Sequence, residues 1–233
     1  FSGMGDMRGM EGDSRGDMEY YEKAFAVGRT QPSLKDLSDP APIRTVLQAA
    51  TRIGELYLER GDEAKSTERF QYAADITAQM LTKKPNDLIA LRNRWVSLER
   101  LASNYSHWER IPEARRALEE AAGVVDRMEA LAGDAGASSR NRLVLLAMRG
   151  RLAADEEKYA EAATYHQQQL TLAERATRRN PSDFAAAQDV VYALTSIGRN
   201  QSEAGDHEAG VSALRRAVHE ADELKRFGDR SVQ

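Results

Sequence analysis

The chain repeats itself every 48 residues, and that period limits its folding more than any single motif does. Stepping by 48 carries Gly54 to Ala102, Gly150 and Gly198, and Ser66 to Ala114, Ala162 and Gly210. The same step carries Phe70 to Leu118, His166 and Leu214, and Ala73 to Ala121, Gln169 and Ala217. A backward step of 49 reaches Gly5, Asp17, Tyr21 and Ala24. The word RNRWVSL at 92–98 returns as RNRLVLL at 140–146. Gly61-Asp62 returns as Gly12-Asp13 and Gly205-Asp206, with Glu109-Arg110 and Glu157-Lys158 in the middle copies. A fixed period of this size marks a stack of identical supersecondary units, each burying its apolar face against its neighbours.

Within a unit the apolar residues follow a helical period, as Leu88, Leu91, Trp95, Leu98, Ala102 and Tyr105 do. Each unit therefore reads as two helices. The first carries the small residue at the Gly54 column, and the second carries the small residue at the Ser66 column one turn before a large one. Small residues facing each other let the two backbones approach, with large side chains filling the space beside them. Gly-Asp supplies the reversal between the helices, since glycine takes a positive φ at no steric cost. Pro112 falls in a first helical turn, where its missing N–H costs nothing. Lys84-Pro85 and Asn180-Pro181, 96 residues apart, mark helix ends. The prolines 32, 40 and 42 predict a loop from Gly28 to Pro42, and AGDAGASSR predicts a second at 132–140.

The succession of large, small and aromatic residues, then Gly-Asp, then small, aromatic and Ala resembles the tetratricopeptide repeat family. Gly54, Tyr57, Ser66, Phe70 and Ala73 match closely, and Phe1, Met4, Gly5, Gly12 and Asp13 more loosely. The resemblance implies an all-α fold, a right-handed superhelical α-solenoid of helix-turn-helix repeats. About ten helices are expected in a single array over 1–233, with units at 1–39, 40–85, 86–133, 134–181 and 182–233. The departure is length, because the common unit has about 34 residues. The additional residues amount to roughly one heptad, or about two turns, per helix, which keeps the buried stripe on the same face. Long arrays of this kind are similar to those attached to bacterial signalling proteins, including Ser/Thr kinases and caspase-like proteases.

Composition narrows the function. A net charge of −4 over 233 residues lacks the concentrated positive stripe that a nucleic-acid footprint needs. No apolar run approaches the length of a membrane span, so no membrane insertion is expected. The absence of cysteine removes disulfides and thiolate chemistry. His107, His166, His207 and His219 form no metal-ligand spacing, and no catalytic triad order, Walker loop or dinucleotide fingerprint is present. No catalytic residue, metal or cofactor is therefore assigned. Arg15-Gly16-Asp17 and Arg60-Gly61-Asp62 spell an adhesion tripeptide but read as hairpin-turn residues. His166 stands where its sister residues are Phe70, Leu118 and Leu214, so it is expected to face the hairpin interior. Arg149 and Gln169 add polarity to the same unit. The chain begins at Phe1, so the native start is expected upstream, and the compartment is read as cytoplasmic.

The candidate site is a ladder of basic residues. Arg44, Arg92 and Arg140 are successive steps of 48, followed by Gln188. Arg151, Tyr192 and Arg199 fall on the same side by register, and Asn93 and Asn141 lie close to it. In tetratricopeptide arrays the first helices line the concave face, so the resemblance implies a groove there. Arginine forks match carboxylates, which suits an acidic protein or peptide partner. The family's clamp for a terminal carboxylate uses Lys and Asn; the matching places hold Thr51, Glu55, Glu99 and Ser103, so that mode is absent. The chain reads as a non-enzymatic scaffold or regulatory module binding a protein or peptide. Two alternatives stand beside this reading: the accessory region of a larger enzyme, and a module that self-associates into a homo-oligomer.

Overall fold

A computed structural model describes residues 14–31, 34, 37, 39–132 and 137–231. Among them are nine α-helices and no strand: α1 Ser14–Arg29, α2 Pro40–Glu59, α3 Glu63–Lys83, α4 Leu88–His107 and α5 Ile111–Ala132, then α6 Ala137–Asp155, α7 Tyr159–Arg179, α8 Phe184–Glu203 and α9 His207–Ser231. The chain divides into two compact units, one up to Leu131 and one from Ala132. In the first, α2 packs on α1, α3 and α4, and α3 also packs on α4. In the second, α7 packs on α6 and α8, and α9 on α8. The residues expected to open the first repeat, Phe1, Met4, Gly5, Gly12 and Asp13, lie outside the described residues.

Among the described residues, all four helix reversals within hairpins use one design. The N–H groups of Gly61 and Asp62 bond to the carbonyls of Leu58 and Tyr57 at 3.0 and 2.9 Å. The same pair of bonds recurs at Glu109 and Arg110, at Glu157 and Lys158, and at Gly205 and Asp206. This is the Schellman arrangement, whose penultimate residue takes a left-handed conformation. Gly61 and Gly205 hold φ of 74° and 91°, and Glu109 and Glu157 hold 56° and 59° without a glycine's freedom. Asp62 and Asp206 then cap the next helix by accepting from the N–H of Lys65 and Ala209. Lys158 caps α7 with no side-chain bond. The first helices have their own cap column: Asp39, Asp87 and Asp183 accept from the N–H of Ala41, Ala90 and Ala186.

Both predicted loops are shorter than their composition suggests. Pro40 and Pro42 lie in the first turn of α2 behind the Asp39 cap, because a proline there gives up an N–H that has no partner anyway. Residues 137–140 open α6, and 133–136 lie outside the described residues. Arg15-Gly16-Asp17 stands inside α1, not in a turn, and Asp17 is buried. Leu88, expected in the buried stripe, is 49% exposed at the start of α4, while Leu91, Trp95, Leu98 and Ala102 are buried.

The glycine column packs differently from a plain small-on-small seam. A Cβ on Gly54 would stand 2.9 Å from Cζ of Phe70, and one on Gly150 2.5 Å from Nε2 of His166. The glycine of the first helix thus receives the large side chain of the second. In the last hairpin small residues also meet, where a Cβ on Gly210 would lie 2.8 Å from the carbonyl oxygen of Gly198. Around these seams the first unit packs Tyr21, Phe25, Val46, Ile53 and Ile76, and the second packs Leu143, Leu170, Val190, Leu194 and Ile197.

Candidate functional site

In the first unit α2 and α4 lie side by side, and their outer faces form a cleft of about 460 Å³. Arg44, Leu47, Gln48, Thr51, Arg52 and Glu55 come from α2, at intervals of three and four that keep them on one helix face. Arg92, Asn93, Val96, Ser97 and Arg100 come from α4 on the same logic, and Tyr21 of α1 completes the wall. Three of the candidate residues, Arg44, Arg92 and Asn93, are therefore brought together. The sequence reading missed Arg52 and Arg100. Their signal was available, because they too are 48 residues apart.

The electrostatics of the cleft are uneven. Four arginines face one lining carboxylate, Glu55. Glu55 pairs with Arg52 at 2.6 Å and with Arg100 at 3.6 Å, so these two cations are partly neutralised. A hydrogen bond with Tyr21, then the bond to Glu55, hold the Arg52 guanidinium firmly in its charged form. Glu99 lies 3.5 Å from Arg100; burial raises its pKa, and the Arg100 charge opposes that rise. Arg44 and Arg92 are exposed and make no ion pair or side-chain hydrogen bond among the described residues. Two unpaired guanidinium groups one repeat apart are what a carboxylate-bearing ligand would meet. The clamp positions Thr51 and Glu55 line the same wall and offer no Lys or Asn to a terminal carboxylate.

The second unit treats the equivalent residues differently. Arg140 of α6 is joined by a short ion pair to Asp189 of α8. Burial raises the pKa of Asp189, and the neighbouring Arg140 charge works against it. Arg151 donates to the Tyr192 hydroxyl at 3.3 Å, a bond that raises its pKa. Arg199 is exposed on α8, and Asn141 is half-buried on α6. Beneath Tyr192, His166 is 2% exposed, with its Nδ1 3.0 Å from the Gln169 Oε1 and its ring 6.1 Å from that of Tyr192. Burial lowers the His166 pKa; the Gln169 hydrogen bond opposes this and the Arg151 charge adds to it. It is a satisfied interior residue, and Arg149 is placed with its guanidinium 6.0 Å from the centre of the Tyr165 ring.

A buried cation elsewhere in the first unit escaped the sequence reading. Arg94 of α4 is 7% exposed and donates to the Ala74 carbonyl and to Glu120 of α5. Its column otherwise holds Val46 and Val190, both buried, with Arg142 between. Among the described residues no group of three or more His, Asp or Glu could hold a metal ion, and no helix is long and apolar enough to cross a membrane.

No protein-family model matches the chain, and no curated protein matches it. Solved structures do. BtubC (BKLC) from P. vanneervenii superposes with a TM-score of 0.73 at 18% identity, over 95% of this chain and 78% of its own. The putative kinesin light chain of Podosopora anserina, with nearly identical TPR-like repeats, gives 0.65 at 14% identity, over 97% of this chain and 95% of its own. MamA gives 0.51 at 15% identity, over 95% and 96%. At such identities the likeness is one of fold, and the expected all-α solenoid is the fold found. The chain is, in fold, a tetratricopeptide-like helical-repeat protein.

Proposed function

We propose that this chain works by binding another protein, not by catalysis, and that the cleft between α2 and α4 holds an extended acidic segment of that partner. One observation carries the reading: Arg44 and Arg92 line the same cleft with no carboxylate of their own. Leu47 and Val96 between them offer apolar contact, and Gln48, Asn93 and Ser97 offer hydrogen bonds to a peptide backbone. An extended segment with carboxylates spaced to meet the two arginines would gain charge-assisted bonds at both ends. The tetratricopeptide-like fold supports a scaffold role, since stacked first helices present such clefts repeatedly along an array.

The test uses a fluorescein-labelled peptide in which Asp alternates with Leu, beside the same peptide with Asn for Asp. Fluorescence anisotropy should show the acidic peptide bound and the amide peptide weakly bound, with the difference shrinking as salt rises. Replacing both arginines, Arg44→Gln with Arg92→Gln, should weaken binding about fivefold to tenfold at unchanged helical circular dichroism. Equal binding of the two peptides, or equal binding by parent and variant, would sink the proposal.

A further inference from the structure

The ion pair between Arg140 and Asp189 has a counterpart in the first unit that lacks the acid. Arg44 and Asn93 stand 96 residues, two repeats, before Arg140 and Asp189. They hold the same places on consecutive first helices, α2 and α4, as Arg140 and Asp189 do on α6 and α8. Asn93 is a neutral amide close in shape to aspartate, and it leaves the Arg44 charge open in the cleft. Asp189 is no spare surface acid. Its side chain is only 16% exposed, while that of Arg140 is 57% exposed. The carboxylate is thus mostly covered, whereas the guanidinium that it bonds stands largely in solvent.

We infer that Asp189 is a built-in occupant of the ladder, standing where a partner's carboxylate would stand, and that the residue in its column selects which arginines accept a partner. Aspartate at 189 closes the Arg140 rung, and asparagine at 93 keeps the Arg44 rung open. This rests on the acidic-segment reading proposed above. The chemistry is simple competition. A guanidinium already bonded to an internal carboxylate offers fewer donors and less net charge to a second one, and the internal acid needs no further ordering to bind. The selection then lies in a single carboxyl-for-amide exchange, with no change of size.

Two readouts separate this inference from the reading beneath it. Side-chain nitrogen NMR of the full chain should show the Arg140 guanidinium with restricted rotation in the parent and free rotation in Asp189→Asn. Arg44 should behave in the opposite sense, free in the parent and restricted in Asn93→Asp. With the acidic fluorescein-labelled peptide, Asn93→Asp should weaken binding about threefold, as much as Arg44→Gln does. In an Arg44→Gln background the same Asn93→Asp exchange should cost clearly less than in the parent, because only repulsion and the lost Asn93 amide contact then remain, which sets pairing apart from both. If Asn93→Asp leaves the Arg44 signal mobile, or weakens binding equally with and without Arg44, the inference is overturned and the acidic-segment reading stands. If the parent binds no acidic peptide at all, the reading falls, and the role of Asp189 as a partner mimic falls with it.

Discussion

Replacing Glu157 with glycine should stabilise the second unit, and the expected size follows from the backbone. Glu157 ends α6 at φ 59°, the conformation that Gly205 supplies at φ 91° in the next hairpin. The left-handed region costs an ordinary residue about 1–2 kcal/mol, from the approach of Cβ to the carbonyl oxygen. Glycine removes that cost but gives the unfolded chain additional freedom worth about 0.4–1 kcal/mol. The net gain is about 1 kcal/mol. Both turn bonds are made by backbone N–H groups, so the Glu157 side chain is not needed for either. For a unit of roughly 100 residues, that gain moves the melting midpoint upward by about 4–8 °C. The reciprocal change, Gly205→Ala, should lower stability by a similar amount. Nothing lies within 4 Å of the added methyl, so any loss there is backbone strain alone. Urea denaturation followed by far-ultraviolet circular dichroism measures both variants against the parent. A destabilised Glu157→Gly, or a neutral Gly205→Ala, would refute the argument that these reversals are held in the left-handed region.

Three further outcomes are expected from the same denaturation assay. Gly210→Ala should cost about 1–3 kcal/mol, and more than Gly54→Ala, because its methyl meets the Gly198 carbonyl oxygen at 2.8 Å whereas the Gly54 methyl meets a Phe70 ring that can shift. Arg94→Ala should cost about 2 kcal/mol, since it empties a buried position and removes the bonds to the Ala74 carbonyl and to Glu120; a neutral result would mean that water takes the place of the guanidinium. His166 has its pKa pushed below the ordinary 6.5 mainly by burial, so the unfolded chain binds the additional proton first, and stability is full above about pH 6.5 and falls as pH drops through that value toward the lower folded one. His166→Leu, which installs the residue found at Leu118 and Leu214, should flatten the stability curve below about pH 6.5, and an unchanged slope would assign the acid sensitivity to other groups.

The sequence made the columns legible because burial is a property of one position repeated. Gly54, Ala102, Gly150 and Gly198 are all buried, as are Phe70, Leu118 and His166, and each could be placed by stepping along the chain. Even the odd step of 49 held for α1, where Asp17, Tyr21 and Ala24 are buried. Local chemistry was read less well. Proline at 40 and 42 suggested a loop until the Asp39 cap turned both into first-turn residues of α2. Glutamate at 109 and 157 gave no hint of a left-handed conformation, because the demand comes from two backbone bonds and not from the side chain.

The pairings of the site were hidden for a deeper reason. A 48-residue step compares a residue with its own copies, whereas an ion pair joins two different columns. Arg140 meets Asp189 across 49 residues, and Arg94 meets Glu120 across 26. The arginine ladder was therefore visible as a column, but its state of charge was not. The rungs look alike in the sequence, yet Arg140 is answered by an internal acid, Arg52 and Arg100 share Glu55, and Arg44 and Arg92 are left open. On the acidic-segment reading proposed above, the residues opposite the arginines decide which of them can grip a partner. The column to vary experimentally is accordingly that of Asn93 and Asp189 before that of the arginines. A change there alters the availability of a cation while leaving the cation itself, its helix and its exposure in place.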